Sequence, residues 1–119
     1  MEQGNVVNFY KGLELIVDAV LVIPVRPAVV LINGVNDSTR QELARGIMER
    51  LSELGYKGRT VRVGEDLKVA TQDVTLSFLL LEDNGMANGH SSEHSGRVPD
   101  LRVYLGVPPE NSEYNIIIQ

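Results

Sequence analysis

Residues 27–55, PAVVLINGVNDSTRQELARGIMERLSELG, decide the fold. Residues 28–32 form an unbroken apolar run rich in β-branched side chains. Such a run suits a strand covered on both faces, where neither side meets water. Asn33-Gly34 permits a turn, and Asn36-Asp37-Ser38 keeps the chain polar until a helix can start. Asp37 or Ser38 can cap that helix, and Ser38 to Gln41 fits the reciprocal capping pattern in which Gln41 reaches back. Leu43, Ala44, Ile47, Met48, Leu51 and Leu54 then recur at helical spacing, with Arg40, Glu42, Arg45, Glu49, Arg50 and Glu53 mostly opposite. Gly55 stands where a left-handed C-terminal cap is wanted. The unit reads as a strand, a turn and one main amphipathic helix over 38–54.

Working outward, a chain of 119 residues with 43% hydrophobic and 23% charged composition is expected to fold as a single domain, residues 1–119. A net charge of -5 without a basic cluster argues against binding nucleic acid through its phosphates. The absence of cysteine excludes disulfides, thiolate catalysis and cysteine-held zinc. Residues 13–25 are too short and too acidic for a membrane span, and the start lacks a secretory pattern, so a cytoplasmic protein with no membrane partner is expected.

Residues 1–8 are polar and carry no strong signal. Residues 11–25 fit two periods. Leu13, Leu15, Val17, Ala19, Leu21 and Ile23 would line one face of a strand, whereas Leu13, Ile16, Val17, Val20 and Leu21 would stripe a helix. The valine and isoleucine content favours a strand, above all over 20–25. Pro24 and Pro27 force a break. Residues 59–63, 73–81, 101–105 and 114–118 read as further strands, and 67–72 as a short helix or loop. Residues 83–97 lack apolar periodicity and are rich in glycine and serine, the composition of a flexible loop that serves as a lid, contacts a partner, or is only solvated. The expected architecture is α/β: a mixed four- to six-stranded sheet, with 28–32 and 59–63 paired in parallel through a right-handed βαβ crossover. The last strand is expected antiparallel at an edge.

Three groups of residues carry candidate chemistry. The helix start presents unpaired amides and partial positive charge, so Gly34, Ser38, Thr39 and Arg40 form a candidate anion site. The unit VVLINGVNDSTRQELARGIMERLSELGY, followed by VRVGEDL and DLRVYLGVPPE, resembles P-loop nucleotide kinases of the adenylylsulfate and uridine kinase type. Of the pattern G-x-x-x-x-G-K-[ST], only Gly34 matches: Thr39 replaces the second glycine, Arg40 the lysine and Gln41 the metal-binding hydroxyl. The resemblance therefore implies a local fold and an anion-binding helix start, not phosphoryl transfer. The same strand, Asn-Gly and Gly-Tyr ending, with PDLRVYLG, is also similar to the C-terminal domain of LytR-type cell-envelope proteins.

His90 and His94, with Glu93 between them, would face one side of a helix and could hold a divalent metal, although the surrounding glycine and serine favour a solvated loop. Finally, Tyr114, Ile116 and Ile118 would make an apolar edge that must pair within the fold or across subunits. No complete catalytic motif is present, and no resident cofactor is expected. The expected function is a non-catalytic binding or assembly module for a protein partner or a homo-oligomer. The alternatives are an anion- or nucleotide-binding domain using residues 37–41, and a metal-dependent enzyme or sensor using His90 and His94.

Overall fold

Asn8 ends a short extended segment and caps a helix, its side chain accepting from the Lys11 amide at 2.8 Å. That cap opens the segment whose two periods competed. In the computed structural model, which describes residues 5–62, 67–70, 72–73, 75–83, 98–110 and 113–119, it begins α1 (Phe9–Val22). Gly12, Leu13, Ile16, Val17 and Val20 are buried at helical spacing, while Glu14 and Asp18 are exposed. The strand reading of residues 11–25 is thus corrected. β-branched preference yields to the apolar stripe, which finds a sheet and a second helix to pack on.

The remaining elements follow the chain: β1 (Asn5–Val7), β2 (Ala28–Asn33), α2 (Asp37–Glu53), β3 (Gly58–Arg62), α3 (Leu67–Ala70), β4 (Phe78–Asp83), β5 (Leu101–Leu105) and β6 (Ile116–Ile118). All six residues of β2 are buried, as its unbroken apolar run requires. Asp73 and residues 75–77 precede β4 instead of beginning it, and the Asp73 carboxylate accepts from the Thr75 amide at 3.0 Å and from the Thr75 hydroxyl at 2.6 Å. This local turn holds Asp73 and Thr75 out of the ladder, whereas Ser77 already donates to the Lys57 carbonyl at 2.7 Å and accepts from the Ala28 amide at 2.9 Å. Asp83 closes β4, and the rest of the expected 83–97 loop lies outside the described residues.

Among the described residues, six strands form one sheet in the order β1-β6-β5-β2-β4-β3, and all their pairings are parallel. Two expectations are corrected here. Strands β2 and β3 are not neighbours, since β4 lies between them. Strand β6 is neither antiparallel nor an edge, since it pairs in parallel with β1 and β5. Alternate residues of the central strands, among them Val30, Ile32, Leu80 and Val103, face α1 and α2. The opposite residues, including Val29, Leu31, Leu79 and Leu81, form a second core with Val61, Ala70 and Leu76. Gly12 sets the depth of α1: a Cβ there would collide with the Ile118 side chain. The radius of gyration, 13.2 Å, matches the roughly 13.5 Å expected of one domain of this length.

Candidate functional site

Among the described residues, the buried polar or charged side chains are Asn33, Arg40 and Asp83. All three lie at one end of the molecule. Asn33 and Asp83 are the last residues of adjacent strands and are partners in the register, and Arg40 sits in the first turn of α2. The Gly34 amide donates to the Asp83 carbonyl at 3.2 Å, binding the two strand ends together. From β2 the chain runs by way of α2 to β3, beyond β4, whereas from β5 it continues to β6 on the other side. Where connections diverge in this way, the carboxyl ends of parallel strands leave a crevice that open α/β sheets use for ligands.

Here the chain's own groups close that crevice. The Arg40 guanidinium donates through Nη1 to the Gly34 carbonyl and through Nη2 to the Asp37 carboxylate. Its Nε lies 3.8 Å from Glu82 Oε1, too long for a hydrogen bond, and has no hydrogen-bond partner among the described residues. Asn36, not Asp37 or Ser38, is the cap of α2. Its backbone is extended, and its side chain accepts from the Thr39 amide at 3.0 Å. Asp37 is already helical and places its carboxylate in the first turn, where the helix dipole favours it. Gly34 packs directly on β5: a Cβ added there would lie 2.9 Å from Leu105 Cβ and 3.0 Å from its carbonyl oxygen.

The four residues of the anion hypothesis therefore share one turn but do not face one point. Gly34 is buried, Ser38 exposed and Thr39 half-buried, and the charge of Arg40 is turned inward. On the other side of the β2 end, the Asn33 amide nitrogen donates to the Tyr114 hydroxyl at 2.8 Å. The Tyr114 ring meets Tyr104 edge-on, with centroids 5.0 Å apart. Burial raises the Tyr114 pKa above the ordinary tyrosine value, while the hydrogen bond from Asn33 opposes that rise.

Tyr114, Ile116 and Ile118 do not form an exposed assembly edge. Tyr114 is half-buried, Ile116 and Ile118 are buried, and β6 has a strand on each side. Among the described residues, the edges of the sheet are β1 and β3. His90, Glu93 and His94 lie outside the described residues. Among the described residues no group of three or more His, Cys, Asp or Glu side chains could hold a metal ion. No helix among them is long and apolar enough to cross a membrane.

Reading the sequence alone missed Asn33 and Asp83 as a pair. The available signal was a polar residue ending each of two apolar runs, LIN and LLLED. Apolar side chains also stand open beside the closed crevice: Val35 is 63% exposed and Val107 80% exposed, in the turns that follow β2 and β5. The chain matches no family model, no curated protein and no solved structure.

Proposed function

We propose that this protein is a non-catalytic α/β module that binds another protein or a second copy of itself. The observation that carries this reading is the closure of the turn after β2. Arg40, the cation an anion site would need there, is held by the Gly34 carbonyl and the Asp37 carboxylate. A negative ligand entering the helix start would have to displace Asp37 and meet Glu82 close behind. The exposed Val35 and Val107 give a protein partner apolar contacts on the same end of the sheet. A photoreactive residue placed at Val35 or Val107 should crosslink to protein in the native cell. Inorganic phosphate, sulfate and nucleotides should give no heat and no thermal shift. Binding of one of them that disappears in Arg40→Ala would overturn the reading.

That outcome belongs to a second reading, a small-anion or nucleotide-binding domain using residues 37–41. It is favoured by one observation, the gathering of Asn33, Arg40 and Asp83 at the diverging strand ends. On that reading Asp37→Asn, which frees Arg40, should strengthen anion binding.

A further inference from the structure

We propose that β1 is a self-association edge, on which the β1 of a second copy pairs antiparallel across a two-fold axis through Val6. This rests on the assembly branch of the functional reading above. Val7 accepts from the Gln119 amide at 3.0 Å, so the backbone groups of Val7 and, by alternation, Asn5 are turned toward β6. The Val6 N–H and C=O consequently face away from the sheet, and among the described residues no hydrogen bond reaches them. The Val6 side chain is 59% exposed and Tyr10, just beyond, is 79% exposed.

The occupant follows from complementarity. Two Val6 residues related by a two-fold would exchange both hydrogen bonds, the arrangement of a hydrogen-bonded antiparallel pair in an isologous contact. Nothing on Asn5-Val6-Val7 repels a like strand, because none of the three is charged. Three residues a side fall below the ~1,200 Å² of a standard stable interface, so the dimer is weak and depends on concentration.

Sedimentation velocity from about 10 μM to 1 mM should show the sedimentation coefficient rising with concentration toward that of a dimer. Val6→Pro removes an N–H that the sheet does not use, so it should preserve the fold while weakening dimerisation at least tenfold. Val6→Lys should do the same by charge, and keeps the result readable if the proline variant folds poorly. Hydrogen exchange at the Val6 amide should slow as wild-type concentration rises. A monomer throughout the range, or association unchanged by both substitutions, overturns the proposal. Crosslinking from Val35 in the Val6→Pro background tests the partner-binding reading separately, since that surface lies at the carboxyl ends of β2 and β5.

Discussion

The side-chain amide of Asn33 donates to the Tyr114 hydroxyl at 2.8 Å, joining the end of β2 to the residue two places before β6. The bond ties together parts of the chain 81 residues apart. It gives a largely buried amide a partner that it would otherwise lack.

Tyr114→Phe removes that partner and should destabilise the fold by about 1–3 kcal/mol at neutral pH, read by urea unfolding. The effect should depend on pH with a definite sign. Burial raises the folded-state pKa of Tyr114, with Tyr104 and Asp83 adding to the rise and Asn33 and Arg102 opposing it. The folded protein therefore keeps the phenol proton at a pH where the unfolded chain has released it. This contribution is complete below the unfolded value near 10 and is lost as pH rises through the folded value. Tyr114→Phe should flatten the fall in stability above pH 10. An equally steep fall in the variant would assign it to other groups.

Arg40 separates the cost of a buried cation from that of its exposed partner. Its side chain is 9% exposed and that of Asp37 is 74% exposed. Arg40→Ala strands the Gly34 carbonyl and leaves Glu82 without the cation that lies 3.8 Å from it, so a loss of about 2–4 kcal/mol is expected. Asp37→Ala should cost less than about 1 kcal/mol, because water screens that carboxylate and only a helix-start charge is lost. Equal losses in the two variants, measured by denaturant midpoints at constant slope, would show that the ion pair acts as one unit.

Gly34→Ala tests how closely the turn after β2 lies on β5. The added methyl would meet Leu105 at its Cβ and its carbonyl oxygen, neither of which can rotate away. A loss of about 1–3 kcal/mol is expected, as for overpacking elsewhere. Adding Leu105→Ala should not rescue it, because alanine keeps both obstructing atoms. Rescue would mean that the outer part of the leucine side chain, and not the main-chain approach, sets the limit.

What the sequence revealed of this fold depended on whether the deciding contact was local. The β2 run and the apolar spacing of α2 are local, and both elements are found at residues 28–33 and 37–53. The α1 segment carried two compatible periods, and only its packing against α2 and β6 selects one. The Asn8 cap was a signal readable in the sequence that pointed the right way. Likewise Asp37 and Ser38 are the expected caps of α2, and the backbone angles at the turn place the cap at Asn36 instead. Strand order was less accessible, since no residue of β3 announces that β4 will come between it and β2. The candidate site lay deepest of all. Arg40 belongs to an exposed pattern of charges along α2, and it becomes a buried clasp because it donates to the Gly34 carbonyl after β2 and lies beside Glu82 of β4.

The placement of α1 on β6 can be tested through a change of sign. In the wild-type background Gly12→Ala gains about 0.5–1 kcal/mol of helix propensity, but the new methyl collides with the Cδ1 and Cγ1 atoms of Ile118. Overpacking of this kind costs about 1–3 kcal/mol, so the single variant should be less stable than wild type. Ile118→Ala removes both atoms and should itself cost about 2–5 kcal/mol by leaving a cavity. In that second background Gly12→Ala meets no obstruction except Val7 Cγ2 at 3.4 Å, an ordinary contact that needs little adjustment. The same substitution should now stabilise, through helix propensity and partial filling of the space. Urea unfolding of the four proteins gives the coupling directly, and two residues in contact should depart from additivity by more than about 0.5 kcal/mol. Additive effects would mean that Gly12 and Ile118 do not touch, and would move α1 off the face of the sheet where it is described.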